Sequence, residues 1–322
     1  MKASVNLWES LVRSIVEYAA EIWGFEHWKE GEDLQSEMGR RILRCSPFAT
    51  IAAIRGDLGW WSLRSRRGLK KLIHFCHILS LQEERLLKQA YFMSRDSGRK
   101  LNWAGRIKKI LTKYGLQVVW EDEKKIWDLD GMGNGGARSE MEHQRFIKNF
   151  LYKQVLAREE KEWWKEVEKK SKLCTYRLLK SRHLRLEKYL LTSGYYFGRT
   201  LMSDLRIGTN KLEIEQGRKK VRTKEGKWEK GKSREERVCR QCISGEVEDE
   251  LHFVTKCTRF AEARQSLFDV IRDLSGGKWK LSELPASMQF KVLMSGSGDT
   301  FEGQIFQVFQ GWLVKSFKRR VQ

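Results

Sequence analysis

Proline is almost missing from this chain: 322 residues hold two, Pro47 and Pro285, where average usage would place roughly sixteen. Few helix breakers leave long helices permitted. Cysteine is sparse as well. Of six, Cys45, Cys76 and Cys174 stand alone and three cluster, which is no disulfide framework for a chain of this length and points to a reducing compartment. No window approaches ~18 uninterrupted apolar residues, so no helical membrane span is expected. The opening MKASVNLWESLVRSIVEYAAEIWGF has the apolar content of a secretory leader, but Glu9, Arg13 and Glu17 interrupt it, so we read an amphipathic helix and a nuclear or cytoplasmic location, not secretion. The glycine-rich stretch GMGNGGAR, residues 131 to 138, lacks the Gly-Lys-Ser/Thr ending of a phosphate loop. It reads as a linker.

Negative charge is also short, with 42 Asp and Glu against 63 Lys and Arg, a net +21. Uncompensated positive charge on this scale repels itself unless a polyanion or solvent takes it up. Nucleic acid is the expected partner, and neither a membrane nor a small-molecule substrate is expected. Thirteen Trp and fifteen Phe supply material for a sizeable core.

Apolar residues recur at spacings of three and four through most of the chain, which predicts a mainly α fold. Val5, Trp8, Leu11, Val12, Ile15, Val16, Ala19, Ile22 and Trp23 predict one helix over 5 to 23 with that stripe in the core. Asp33 can cap a second helix bearing Leu34, Met38, Ile42 and Cys45, a third lies around 50 to 56 and stops at Gly56, and Leu63 to about Met93 predicts one long helix or two in tandem. Further helices are expected over 101 to 114, 139 to 170, 172 to 191, 259 to 274 and 303 to 320. The expected organisation is a helical bundle over 1–95, a helical linker domain over 96–200 with its glycine-rich loop near 131–136, a basic arm and small CCHC module over 201–262, and C-terminal helices over 263–322.

The densest chemistry is CRQCISGEVEDELHFVTKC, Cys239 to Cys257. Its C-x2-C-x9-H-x4-C spacing offers three thiolates and one imidazole, Cys239, Cys242, His252 and Cys257, a donor set that selects Zn2+ and leaves no open position, hence a structural metal. His252 and Cys257 lie five residues apart, about 140° around an ideal helix, so the helix must loosen before Cys257. Glu246, Glu248, Asp249 and Glu250 are expected in the first helical turn, where acidic groups suit the positive helix end. Three thiolates on one Zn2+ leave about one negative charge, so phosphate binding is expected in the arm before the knuckle. Its residues are Arg218, Lys219, Lys220, Arg222, Lys224, Lys227, Lys230, Lys232, Arg234 and Arg237, with Trp228 able to stack on a base. Trp60-Trp61, Trp163-Trp164 and the His74/His77 pair are read as packing residues.

Several segments resemble, in order, the region downstream of the polymerase domain in non-LTR (LINE-type) retrotransposon reverse transcriptases. LVRSIVEYAAEIWG (11 to 24), QSEMGRRILRC (35 to 45) and IAAIRGDLGWWSL (51 to 63) look like the helical thumb. KLCTYRLLK (172 to 180), LEKYL (186 to 190), LRIGTNKLEIEQGR (205 to 218) and RVCRQCISGEVEDELHFVTKC (237 to 257) look like the C-terminal portion ending in the zinc knuckle. The resemblance implies binding of template RNA or target DNA. Polymerase chemistry needs paired aspartates holding two divalent ions, and no two aspartates adjoin here. The expectation is therefore a non-catalytic C-terminal fragment that binds nucleic acid, RNA preferred over DNA because a flexible basic arm with a Trp suits single strands. The alternative is a degenerate or domesticated remnant serving as a helical protein-interaction scaffold. The sequence leaves the oligomeric state open.

Overall fold

The computed structural model describes residues 1–126, 140–180, 184–192, 196–222 and 226–321; the glycine-rich stretch and Lys224 lie outside the described residues. The chain is mainly α-helical, with a Cys/Cys/His/Cys cluster followed by helices, as its periodicity predicts. Val221–Arg222 and Trp228–Glu229 form an antiparallel hairpin. No described helix is long and apolar enough to cross a membrane. By contacts the chain forms two compact units, one of residues 7–35 and 61–164, the other of 1–6, 36–60 and 165–322. Residues 36–60 thus group with the C-terminal part rather than with a 1–95 bundle. The reason is visible in pairings remote in sequence: Leu58 bridges Leu186, and Tyr176 Oη donates to Ala53 O at 3.2 Å.

In the first unit the stretch expected as one long helix or two in tandem is two, Leu63–Ser80 and Leu86–Asp96. Ser62 caps the former, its Oγ accepting Ser65 N–H at 3.2 Å. The buried Glu159 carboxylate accepts from Ser62 N (2.7 Å), Ser62 Oγ (2.9 Å) and Ser65 Oγ (2.6 Å), which joins the helix Glu140–Glu168 to that cap. Asn102 caps Trp103–Lys113, accepting Gly105 N–H at 2.8 Å. Leu72, Phe75, Ile107, Leu111, Ile147, Leu151, Val155 and Trp163 are buried, and so is Trp61; Trp60, buried too, belongs to the other unit.

The N-terminal stripe does not behave as its spacing predicts. Val5 and Trp8 are buried, but Leu11, Ile15, Ile22 and Trp23 are exposed. The single helix is interrupted: Trp8–Val12 is a π-helical turn, and Ala19 stands at φ 50° before the short helix Ala20–Trp23. Side chains of this unit claim the backbone carbonyls that a continuous helix would use. Lys70 Nζ donates to Glu17 O (2.7 Å), Trp103 Nε1 to Glu21 O (3.1 Å) and Lys71 Nζ to Gly24 O (2.6 Å). The basic run at 64 to 71 is accordingly not a solvated face, since Arg67 and Lys71 are buried and Arg66 pairs with Glu17 at 2.7 Å.

In the second unit the helix Ile51–Leu58 runs through Gly56 and stops at Gly59, φ 69°, a left-handed position that suits glycine. A Cβ at Gly59 would lie 2.5 Å from Leu186 N. The helix expected over 172 to 191 is replaced by the shorter helix Cys174–Leu179 and the 3-10 turn Lys188–Leu191. The helix Tyr196–Ile207 packs on Glu302–Val321, closely enough at Gly198 that a Cβ would meet Gln310 O at 2.6 Å. A helix absent from the sequence reading, Ala286–Ser295, completes the layer.

The organising polar contact of this unit is Arg206, fully buried. Its guanidinium meets Asp57 (3.2 and 3.3 Å), Glu187 Oε2 (2.7 Å) and Met294 O (2.6 Å), while Tyr189 Oη donates to Asp57 Oδ2 at 2.8 Å. Burial alone pulls the Arg206 pKa down, and Asp57 and Glu187 outweigh that and drive it upward. Removing one partner of such a group strands the other's charge in the interior. Arg206→Ala should therefore lower stability by ~3–5 kcal/mol, read as a lower urea midpoint for loss of helical circular dichroism.

Candidate metal centre

The ligand atoms of Cys239, Cys242, His252 and Cys257 lie within 4.8 Å of one another. Two elements deliver them. Val238 bridges Val247, and Cys239 N–H donates to Glu246 O at 2.9 Å, so Cys239 and Cys242 sit on a tight turn between paired strand-like segments. Gln241 N–H reaches Cys239 Sγ at 3.4 Å and Ser244 Oγ lies 3.2 Å from Cys242 Sγ, contacts that steady sulfur as thiolate. His252 and Cys257 come from the next segment. The loosening that their spacing demands is present: His252–Lys256 is a π-helical turn closed by Cys257 N–H to His252 O at 2.8 Å. In an i→i+5 turn five residues make roughly one circuit, and both side chains face the cluster.

The distances suit a tetrahedral ion. A tetrahedron with metal–sulfur bonds of about 2.3 Å separates two sulfurs by about 3.8 Å; Cys239 Sγ and Cys257 Sγ are 3.9 Å apart and Cys242 Sγ is 3.4 Å from His252 Nε2. That sulfur separation is far too long for a disulfide. His252 Nδ1–H donates to Glu246 Oε2 at 3.1 Å, which leaves Nε2 as the ligand atom and orients the ring. Cys239, His252 and Cys257 are buried and Cys242 partly so. The four groups can hold a metal ion such as zinc, with no ligand position left open for catalysis.

Burial pushes the Cys239 thiol up and the Cys257 thiol up to about 12. At Cys242 burial pushes upward too, but hydrogen bonds, those from Ser244 foremost, outweigh it and the thiol falls to about 6. Near neutrality, then, metal entry must displace two protons, from Cys239 and Cys257.

The acidic run does more than face a helix end. Asp249 Oδ1 accepts His252 N–H at 2.9 Å, a capping contact, and Glu246 serves His252. Glu248 and Glu250 instead turn inward. Arg320 Nη2 donates to Glu248 Oε2 at 2.5 Å and its Nε to Oε1 at 3.1 Å, while Glu213 N–H takes Oε2 at 2.8 Å. Glu250 accepts from Asn210 Nδ2 and Thr175 Oγ1, each at 2.7 Å. Apolar docking adds to these: Phe253 lies 5.7 Å from Trp312 and 4.9 Å from Phe317, and Phe260 5.2 Å from Phe253. Arg320, Asn210, Thr175 and Trp312 are functional neighbours that local sequence does not reveal, because each lies tens of residues away. The run KSFKRR advertises charge, and nothing in it says that Arg320 points inward.

The arm residues divide into two groups. Arg237 donates to Lys232 O (3.1 and 2.7 Å) and Ile214 O (3.1 Å), Arg218 pairs with Glu215 at 3.1 Å, and Arg234 with Asp249 at 3.1 Å. Lys232 N–H donates to Gly217 O at 2.7 Å, so the two ends of the arm meet. Lys219, Lys220, Lys227, Lys230 and Lys232 are exposed, and Trp228, opposite Arg222 in the hairpin, is 67% exposed.

Two outcomes follow for the centre. Cys242→Ser should abolish stoichiometric metal in the purified protein, and Glu246→Gln should weaken zinc binding roughly 10- to 100-fold, both measured by elemental analysis and chelator competition. With two protons displaced, apparent zinc affinity should rise by roughly 100-fold per pH unit around neutrality and fall correspondingly on acidification. Searches against family models, curated proteins and solved structures return no match for this chain, so what the centre holds is argued from its own donors.

Proposed function

We propose that the chain binds single-stranded nucleic acid, RNA in preference to DNA, through a basic hairpin whose root is stapled to a structural Zn2+ centre. Cys239, Cys242, His252 and Cys257 would hold the ion, which when bound supplies a fixed cross-link and no reaction. The observation carrying this reading is the division within the arm. Arg218, Arg234 and Arg237 secure the hairpin root to its surroundings, and that leaves Lys219, Lys220, Lys227, Lys230 and Lys232 displayed beside an exposed Trp228. A displayed row of ammonium groups meets phosphates, and an indole stacks on any base. The candidate centre itself carries Glu246 against the His252 imidazole and Glu248 against Cys239 and would repel phosphate.

The resemblance to the C-terminal region of non-LTR retrotransposon reverse transcriptases supports the same assignment. In that reading this chain supplies binding, and a polymerase domain elsewhere supplies catalysis.

With about six phosphates contacted, affinity for a short single-stranded RNA should fall ~300-fold between 50 and 200 mM salt. Trp228→Ala should cost ~1–3 kcal/mol of that affinity, and Lys219→Glu with Lys220→Glu should lower it further and flatten the salt slope. Fluorescence anisotropy reads all three, and an affinity indifferent to salt and to these substitutions would sink the proposal. A second reading, a helical protein-interaction scaffold, draws on the exposed Leu11, Ile15, Tyr18 and Ile22; there, partner capture would survive the Lys219 and Lys220 reversals unchanged.

A further inference from the structure

The unit made of residues 7–35 and 61–164 contains a cavity of about 550 Å3 whose lining is strongly cationic. Arg64 and Lys71 enter from the helix Leu63–Ser80, and Arg106, Lys109 and Lys113 from Trp103–Lys113. Against these five cations the lining offers one carboxylate, Glu26, which pairs with Arg106 at 2.7 Å. Lys113 has a long contact to Glu162, 3.7 Å, beyond the lining. The cavity therefore holds several more positive than negative charges.

Lys71 is the least expected of them. It is buried, and Nζ donates to Gly24 O (2.6 Å) and Arg67 O (3.2 Å). An ammonium carries three donors, so one remains after both carbonyls, with the Phe25 ring 4.9 Å away. Burial and then the neighbouring Arg67 pull the Lys71 pKa down to about 8, and burial pulls Lys113 down as well. Both shifts record first the burial of an ammonium group, with nearby cations adding to it. In the wall, Gly68 leaves room for Tyr114, whose Oη would lie 2.9 Å from a Cβ there.

We propose that this cavity is a phosphate-monoester site, taking the terminal phosphate of a nucleotide. A dianion suits the surplus of cations, since charge-assisted hydrogen bonds from Arg64, Lys71 and Lys109 match its oxygens. A volume of this size accommodates a discrete small group better than the continuous backbone of a strand. The inference rests on neither the metal centre nor the hairpin. It departs from the expectation, drawn from composition, that no small molecule is bound. The same monoester occurs on a free mononucleotide and on the 5′ end of a strand, and the test separates them.

Titration calorimetry of the full chain at low salt, with inorganic phosphate, adenosine monophosphate and adenosine as probes, reads the site directly. Inorganic phosphate and the monophosphate should bind, the monophosphate roughly tenfold or more above adenosine. Arg64→Ala with Lys109→Ala should reduce that affinity at least about tenfold; both side chains are exposed, so the fold should persist, as circular dichroism will show. Competition by a 5′-phosphorylated short RNA but not by its 5′-hydroxyl counterpart identifies a strand end; competition by neither identifies the free nucleotide; either outcome supports the site. Equal binding of adenosine and its monophosphate, equal competition by both RNAs, or an affinity unchanged in the double variant overturns it.

Discussion

His252 and Cys257 stand five positions apart, and an ordinary helical turn would send their side chains in different directions. The metal centre depends on the chain's answer to this constraint, a single wide turn closed from Cys257 to His252. Wide turns of this kind are frequent at functional positions, because they cost hydrogen-bond geometry and persist where something else compensates. Here the compensation is threefold: ligands converging from Cys239 and Cys242, the Glu246 contact on the imidazole, and the aromatic docking of Phe253 and Phe260. Without that turn the cysteine pair would face only one further donor.

Buried carboxylates recur as fastening points. Asp57 with Arg206, Glu159 with Ser62 and Ser65, Glu248 with Arg320, and Glu250 with Asn210 each join segments that are distant in sequence. A buried ion pair adds little net stability against an apolar equivalent. Its value lies in registry, because a carboxylate with directional partners accepts one arrangement of the helices around it. In a chain with 63 cationic side chains, each acidic group is a scarce resource, and the fold places several of them where a neighbouring segment must be chosen.

Much of this was legible beforehand, and the division between legible and hidden is physical. Helical class, the grouping of Cys239, Cys242, His252 and Cys257, and the loosened turn follow from local spacing, which is why Cys239 to Cys257 could be read directly. What escaped depends on contacts remote along the chain. The stripe from Leu11 to Trp23 has helical periodicity, yet Lys70, Lys71 and Trp103 claim its carbonyls and the helix breaks. Gly56 looked like a stop and is helical, while Gly59 carries the left-handed turn. Arg237 and Lys230 are alike in sequence terms, but one spends its donors on backbone carbonyls and the other is exposed. Nor does any local pattern foretell that Arg64, Lys71 and Lys109 surround one cavity.

The clasp between Arg320 and Glu248 joins positions 72 residues apart, and that same carboxylate lies 3.8 Å from Cys239 Sγ. The knuckle is therefore not self-contained. Cut out as an isolated peptide, it would keep its four ligands but surrender the counter-ion that lets an acidic residue sit beside a thiolate. An ion placed there would then be held less tightly than in the intact chain, and trimming the final helix alone would have the same effect from the far end.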